Sequence, residues 1–373
     1  MLQNNIYRTF FLEIVKTFFI ILVSLSMIAL TVKAVNFLDL IVNNGYSVST
    51  YFTYSGLNFF GILTKFVPLS FLLSLTFFIL KQMHENEFVI LWTSGVAKFE
   101  IVKLLFMSSL FVMFFHLLLS IFITPYILNQ SRNLLNKENF NSFVPTIRTQ
   151  QFSDSFKGFT FFVDEKSDNQ IKKVFIFDNS GVLKKFNKYK NVSSETIVTA
   201  NEGIVKKKQL LLFNGMIVSV DKKNNQNDSV VFDQLNIELE NLKSDVKKIP
   251  KIQETSTPKL LDCILGNECD SKAKKEVSIQ LNRRIIYPFY IPVISIICSF
   301  MLIKVKSKKE NLIFNKYSIF GLSFMVLLYA ELIIRYSGHS KLLAFIFFLT
   351  PILLIFLCTI FLKIRFKTEY KKL

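Results

Sequence analysis

Apolar residues are concentrated in two terminal blocks of this chain, Phe10 to Tyr126 and Ile285 to Phe366, with a polar segment between them. A hydrocarbon layer about 30 Å thick needs about 20 apolar residues in a helix, because backbone amides must be paired within the helix there. Six segments meet this requirement: Phe11–Leu38, Leu57–Leu80, Ile101–Thr124, Ile285–Ile303, Tyr317–Tyr336 and Leu342–Leu362. The pattern predicts a polytopic α-helical membrane protein with six transmembrane helices, three in residues 1–126 and three in residues 283–373.

Residues 127–282, between the two blocks, predict an inserted all-β domain and a return linker. The strand-like apolar or alternating runs are Phe159–Val163, Lys173–Phe177, Thr196–Ala200, Leu210–Val220 and Val230–Leu239. Turn residues follow at Asp178–Gly181 and at Phe213–Gly215. Several short strands with such turns favour a sandwich or a jelly roll. Residues Ile249–Lys275 contain two prolines and clustered charges, which predict a mobile linker.

The distribution of cations predicts the orientation of these helices. The loop Asp39–Ser55 has no Lys or Arg, whereas five lysines follow the fourth helix and the tail is also basic; these cations are Lys304, Lys306, Lys308, Lys309, Lys316, Lys363, Arg365, Lys367, Lys371 and Lys372. Because Lys and Arg in short loops are retained in the cytoplasm, we expect both termini there and the polar middle segment outside.

The formal net charge of +18 is typical of nucleic-acid-binding proteins as well as of membrane proteins. Here most surplus cations flank apolar runs, where they would face anionic lipid headgroups. A mean hydropathy of +0.39 agrees with a chain built for the bilayer. Nucleic acid is therefore not an expected partner.

The sequence lacks the usual motifs of catalysis. Its histidines, His84, His116 and His339, fall on separate segments without the spacing of metal ligands. It has no Gly-x-Ser-x-Gly elbow and no GxxxxGK phosphate loop. We therefore expect no catalytic residues, no metal and no cofactor, and any ATP must be bound by another subunit. The sequence leaves open a disulfide between Cys263 and Cys269.

The loop after the second helix predicts a short cytoplasmic helix at about residues 83–95. Acidic residues lead its first turn, a glycine suits its end, and three apolar side chains share one face at i, i+3 and i+4. The residues concerned are Glu85, Glu87, Phe88, Leu91, Trp92 and Gly95. Such a helix rests on the bilayer surface or docks into a groove of a soluble partner. Its acidic start fits anionic headgroups poorly, which favours the partner.

Four cations near the outer ends of the helices are candidates for binding an anionic lipid: Lys33, Lys65, Arg283 and Arg284. An unpaired charge at the centre of the bilayer costs about 3 kcal/mol, so each must snorkel to the headgroups or meet an anion in a cleft. The sequence leaves this choice open. The prolines that follow, Pro288 and Pro292, predict a bend in the fourth helix. Glu331 and Arg335, one turn apart, are expected to pair with each other.

These features, in this order, resemble the LptF/LptG (YjgP/YjgQ) permease family of the lipopolysaccharide exporter over essentially the whole chain. The resemblance is carried by the plan of three helices, an outer domain and three helices. It is also carried by Lys33 with Val35-Asn36-Phe37-Leu38, by Glu85 to Leu91 leading into Ser94 to Lys98, and by Gln280-Leu281-Asn282-Arg283-Arg284. Gln280 departs from the family, in which an acidic residue is common at that point.

The resemblance implies a permease subunit of an ABC transporter that extracts lipopolysaccharide from the bacterial inner membrane and passes it to a periplasmic bridge. The implied partners are a paralogous LptG-like subunit, the cytoplasmic ATPase LptB, and a bridge of the LptC and LptA type. The segment Glu85 to Gly95 would couple to the ATPase. Cations such as Lys33 would meet lipid phosphates near a gate formed by the first and fifth helices. Phe156–Asp164 and Ser337–Lys341 resemble LptF more than LptG.

Two other functions stay open at this point. An ABC permease of the lipoprotein-releasing or mechanotransmission type usually has four membrane helices, with its large domain after the first, which differs from the pattern here. A membrane-anchored structural or receptor protein without an ATPase would tolerate substitutions in residues 83–95.

Overall fold

The computed structural model describes most of the chain in two compact units. The described residues are 2–38, 41, 47–138, 149–156, 158–167, 170–179, 183, 194–206, 209–221, 226–238, 251–266, 271–303, 314–338 and 340–370. The first, or membrane unit, comprises Met1–Val32, Leu57–Asn129 and Lys251–Leu373; the second, or sheet unit, comprises Lys33–Gly56 and Gln130–Pro250.

Helices, both long and short, occupy the two apolar blocks and the segments next to them. In chain order they are α1 (Leu2–Phe37), α2 (Val48–His84), α3 (Glu87–Thr93), α4 (Lys98–Leu118), α5 (Thr124–Glu138), α6 (Thr257–Leu265), α7 (Ser271–Ile285), α8 (Tyr290–Cys298), α9 (Lys316–Tyr336) and α10 (Lys341–Tyr370). A π-helical segment, Leu119–Ile123, joins α4 to α5. Tight 3-10 turns lie at Ile252–Glu254, Tyr287–Phe289 and Ser299–Leu302.

Within the described ranges, six helical segments are long and apolar enough to cross a membrane. They are Asn5–Phe37, Val48–His84, Lys98–Leu135, Ala273–Leu302, Lys316–Tyr336 and Leu342–Glu369. Each overlaps one predicted span, so the predicted set of six is confirmed. Most of the segments extend past the predicted limits, because helical hydrogen bonding continues beyond the last apolar residue until a cap or a break ends it.

The fourth span is broken where its prolines lie. Pro288 occupies the 3-10 turn between α7 and α8, and its missing N–H interrupts the helical hydrogen bonds, so the predicted bend is confirmed there. All nine residues of α8 are buried, and this helix packs against α4, α9 and α10. A helix that is apolar on every side is stable only inside a bundle or a membrane, which fits its place in the main core of the membrane unit.

The prediction of a mobile return linker is wrong for its described residues. Residues 251–266 and 271–275 form the turn Ile252–Glu254, α6 and the start of α7. Leu260 of α6 packs with Val277 and Leu281 of α7 in a small hydrophobic cluster. The segment is therefore part of the packed membrane unit. Cys263 lies on α6 and is disulfide-bonded, whereas Cys298 and Cys358 are free. Its predicted partner, Cys269, lies outside the described residues.

One antiparallel sheet of six strands in sequential order forms the inserted domain. The strands are β1 (Ser153–Phe156), β2 (Phe159–Ser167), β3 (Gln170–Asp178), β4 (Ser194–Lys206), β5 (Gln209–Asp221) and β6 (Gln226–Glu238). All five predicted strands are present, and the four-residue β1 was missed because it is short and polar. An inserted all-β domain is thus confirmed, and the sheet fits the predicted jelly roll.

A row of polar residues crosses the sheet at the point where the buried side chains of the strands change from one set of alternate positions to the other. At matching register positions on β2 to β6 lie Asp164, Lys173, Asn201, Asn214 and Asp233. The backbone φ is 48° at both Lys173 and Asn214. The apolar residues buried in β3 are Val174 and Ile176 on one side of the row and Ile171 on the other, out of simple alternation. Both sides contribute to one core, so the kinked sheet curves around it.

The kink corrects the prediction of a turn at Phe213–Gly215. These residues continue β5, with Phe213 opposite Gln234 and Gly215 opposite Phe232. Gly215 allows the strands to approach, because a Cβ at that position would lie 2.3 Å from the carbonyl oxygen of Thr199. In the same row, Lys173 donates to Asp164 over 2.7 Å, which lowers the pKa of that carboxyl.

Candidate functional site

The short helix α3 lies between two chain reversals that fix its ends. Asn86 precedes it with a left-handed backbone (φ 57°), and Gly95 follows it at φ 92°, a conformation that glycine adopts without strain. Glu87 in the first turn complements the positive end of the helix dipole. A short amphipathic helix is therefore present, but it spans Glu87–Thr93 instead of residues 83–95, and Glu85 lies in the turn before it.

The inward face of α3 packs against the membrane helices α1 and α2. Phe88 is fully buried, with its ring edge-on to Phe10 of α1 and to Phe78 of α2, at 6.3 Å in both cases. Its ring also stacks on Trp92 at 6.0 Å. Leu91, only 8% exposed, belongs to the same core. These three apolar residues of α3 thus anchor the helix to its own chain.

The outward face of α3 carries a second apolar pair and the acidic residues. Ile90 is 64% exposed, and Val89 beside it is also exposed. Glu85 is exposed, whereas Glu87 is partly covered. The sequence predicted that Phe88, Leu91 and Trp92 would face a partner, but in the structure they pack against other residues of the same chain. The surface that is open to a partner contains Val89 and Ile90. We call Val89 and Ile90, together with Glu85 in the turn before the helix, the outer face of α3.

The candidate lipid-binding lysines both lie at exposed positions. Lys33 is on the last turns of α1, between the exposed Val32 and Val35. Nearby, the hydroxyl of Tyr51 donates to the carbonyl oxygen of Ala34, which ties the end of α1 to the start of α2. Lys65 is exposed on α2.

Arg283 is engaged by a carboxylate on another helix. Its Nη2 lies 2.6 Å from Oε1 of Glu331, which joins α7 to α9. The predicted pair between Glu331 and Arg335 is therefore wrong. The spacing of i, i+4 identifies residues that can meet on one helix, but Arg283 reaches the same carboxylate across the bundle.

Arg284 is buried, with 2% of its surface exposed, and its guanidinium is bound within the chain. It donates to Oγ1 of Thr257 (2.9 Å) and to the carbonyl oxygens of Ile252 and Gln253 (3.4 and 3.0 Å). An arginine offers five donors in a fixed fork, which suits several acceptors at once. Arg284 thus ties the segment before α6 to the fourth span.

The π-helical segment completes this junction. Thr257 donates to the carbonyl oxygen of Ile121, and Ser120 donates to the carbonyl oxygen of Arg284. A π segment and a helix end both leave carbonyl groups without their usual partners, and here side chains satisfy them. Sequence reasoning missed Thr257 and Ser120. The only available signal was Ser256-Thr257-Pro258, which is typical of a helix start.

The fold and the anchored short helix define a multi-pass helical membrane protein with an inserted β domain. Among the described residues, no group of three His, Cys, Asp or Glu side chains is placed to hold a metal ion. A comparison with protein families matches residues 8–365 to the family described as "Lipopolysaccharide export system permease LptF/LptG". The chain therefore belongs to the LptF/LptG family, as its sequence features indicated. No curated protein matches the chain.

Membership in this family defines the general role of the chain. It is a lipopolysaccharide export permease, a multi-pass protein of the inner membrane that belongs to the export system and is not an enzyme by itself. The matched family contains LptF and LptG together, so it does not distinguish the two, and the closer likeness to LptF stays a prediction.

Proposed function

We propose that this chain is a permease subunit of an ABC transporter that extracts lipopolysaccharide from the inner membrane and passes it to a periplasmic bridge. Its partners in this proposal are a paralogous LptG-like subunit, the cytoplasmic ATPase LptB, and bridge proteins of the LptC and LptA type. Membership in the export permease family supports the proposal over nearly the whole chain.

The outer face of α3 is the observation that carries the ATPase part of the proposal. Val89 and Ile90 expose apolar side chains on a helix that Phe88 holds to α1 and α2, and the exposed Glu85 lies in the turn before this helix. A partner bound to such a helix gains apolar contact area and can displace the membrane helices through the buried anchor. In this proposal α3 is the coupling helix.

The orientation of the chain is part of the proposal. The absence of Lys and Arg from residues 39–55, and the basic residues after the last span, support cytoplasmic termini and a periplasmic sheet unit. A reporter fused at Asp228 of β6 should then be active only outside the cytoplasm. Activity of that reporter in the cytoplasm alone would contradict both the orientation and the exporter.

Purification of the tagged chain from its native membrane tests the function directly. We expect a second permease subunit and a soluble ATPase in stoichiometric amounts, together with lipopolysaccharide identified by mass spectrometry. In proteoliposomes, that complex should release lipopolysaccharide to a bridge protein only when ATP is present. A chain that purifies without an ATPase would favour the receptor or structural alternative. The four-helix type of permease is not favoured, because the described residues contain six candidate spans.

Lys33 is the cation that we propose first for contact with lipid phosphates, because Arg283 and Arg284 are engaged within the chain. Lys65 is a second candidate on α2. A hydrogen bond to a charged group contributes about 1.5–3 kcal/mol, which corresponds to a change of about tenfold or more in binding. We therefore expect Lys33→Ala to reduce crosslinking of lipopolysaccharide to a photoreactive residue at position 32 by about tenfold.

Lys367→Ala, an exposed lysine near the end of α10, is the matched control and should leave this crosslinking unchanged. Equal crosslinking in the Lys33→Ala variant and the unaltered protein would assign Lys33 to snorkelling at the headgroups instead.

A further inference from the structure

A buried ion pair lies directly after α3, where the chain enters the third span. Lys98, the first residue of α4, donates through Nζ to Oε2 of Glu369 near the end of α10, over 2.7 Å. The two side chains are 13% and 7% exposed. By contrast, the pair Lys103–Glu100 within α4 is well exposed.

The ammonium group of Lys98 lies near four residues that belong to three different parts of the membrane unit. Besides Glu369 it donates to the carbonyl oxygen of Leu302 (3.2 Å), at the end of the fourth span. It also lies 4.6 Å from the ring centroid of Trp92 in α3 and 5.7 Å from that of Phe366 in α10. Both rings are within the range of cation–π attraction. A single side chain thus joins α3 and α4 to the ends of the fourth and sixth spans.

The pair is better suited to fixing geometry than to adding stability. Removing two charges from water costs much of what their attraction returns, so apolar residues at such places often stabilise a fold as well. A buried pair does enforce one arrangement, because displacing either partner leaves an uncompensated charge. The hydrogen bond to the carbonyl oxygen of Leu302 also fixes the direction of the Lys98 ammonium group, and an apolar side chain at position 98 would make no such bond. Movement of α3 would therefore strain the contacts of Lys98 with the two spans.

We propose that Lys98 is a positioning residue that transmits displacement of α3 to the fourth and sixth spans through Leu302 and Glu369. This inference rests on the proposed function, in which an ATPase displaces α3. Packed side chains and polar contacts that have two arrangements carry coupling between distant sites, and Lys98 supplies the contact that leads from α3 to both spans. The pair with Glu369 holds in the arrangement described here, and the ATPase shifts α3 and Lys98 together.

The test uses the whole complex in proteoliposomes that contain lipopolysaccharide, and the measured quantity is lipid released per ATP hydrolysed. We expect Lys98→Met and Glu369→Gln to keep the ATPase bound and hydrolysing ATP, while lipid released per ATP falls at least fivefold. Lys98→Arg keeps the charge and should retain most of that ratio. Lys103→Met, which breaks the exposed pair in the same helix, is the matched control and should leave the ratio unchanged.

Three outcomes would overturn the inference: an unchanged ratio in Lys98→Met and Glu369→Gln, an equal fall in Lys103→Met, or a loss of lipid release that only follows loss of the ATPase. The last outcome would make Lys98 a support for the docking surface and nothing more. If the unaltered complex itself releases no lipid with ATP, the proposed function fails, and the inference fails with it. An active unaltered complex with unaffected variants rejects the inference alone.

Discussion

Replacing Ile90 by arginine is expected to remove the ATPase from the complex while the membrane fold persists. Ile90 is 64% exposed on α3, so a charged side chain there meets water and does not disturb the core. In the complex the same side chain would be buried against the ATPase. Losing the burial of an isoleucine costs about 1.5–3 kcal/mol, and an unpaired buried charge adds to that cost. We therefore expect binding to weaken by about 30-fold or more.

The measurement is co-purification of the ATPase with the tagged chain, together with ATP turnover of the complex and the unfolding temperature of the purified chain. Thr368→Arg places the same charge at an exposed position near the end of α10 and should leave all three unchanged. Full retention of the ATPase by the Ile90→Arg variant, with normal ATP turnover, would show that the outer face of α3 is not its docking surface.

Leu91 illustrates why the structure changes this experiment. The apolar spacing in the sequence favours Leu91→Arg as the disruptive substitution, but Leu91 is 8% exposed and packs in the main core. An arginine there would destabilise the chain and the docking surface together. Periodicity identifies which residues share a helical face, but it does not say which protein covers that face. For α3 the answer is the chain itself on one side and an open surface on the other.

The membrane spans were predictable because the bilayer imposes a simple rule on length and composition. All six runs of about 20 apolar residues became helices, and the proline turn at Pro288 follows from the missing N–H of that residue. The five longer strands were predictable from apolar alternation in the same way. The turn assigned to Phe213–Gly215 was wrong because Asn-Gly also suits a kink within a strand, with φ 48° at Asn214.

The polar contacts between distant segments were not predictable from local pattern. Arg283 and Glu331 are 48 residues apart, and Lys98 and Glu369 are 271 residues apart. A sequence shows that such groups lie near helix ends, where snorkelling is an equally good interpretation. Arg283 meets Glu331 only because α7 packs against α9. Lys98 meets Glu369 only because the start of α4 lies near the end of α10. The return linker was predicted to be mobile for the same reason. Its prolines and charges gave no sign that Ile252, Gln253 and Thr257 accept hydrogen bonds from the distant Arg284.

Replacing Arg284 by methionine is expected to destabilise the membrane unit more than any exposed substitution on the same helices. Methionine keeps much of the aliphatic volume, but Oγ1 of Thr257 and the carbonyl oxygens of Ile252 and Gln253 lose their donor. A buried acceptor without a partner costs about 1–3 kcal/mol, so the loss of all three hydrogen bonds is expected to cost about 3 kcal/mol or more. For a chain of 373 residues that corresponds to a fall of about 4 °C or more in unfolding temperature.

Thermal unfolding of the detergent-solubilised chain measures the fall, and limited proteolysis measures release of residues 251–266. Arg284→Lys keeps the charge but not the fork of donors, so it should fall between methionine and arginine. Arg335→Met, at an exposed position on α9, is the control and should leave the unfolding temperature unchanged. If Arg284→Met unfolds at the temperature of the unaltered chain and residues 251–266 stay protected, the junction does not hold the return segment. Arg284 would then again be a candidate for contact with lipid.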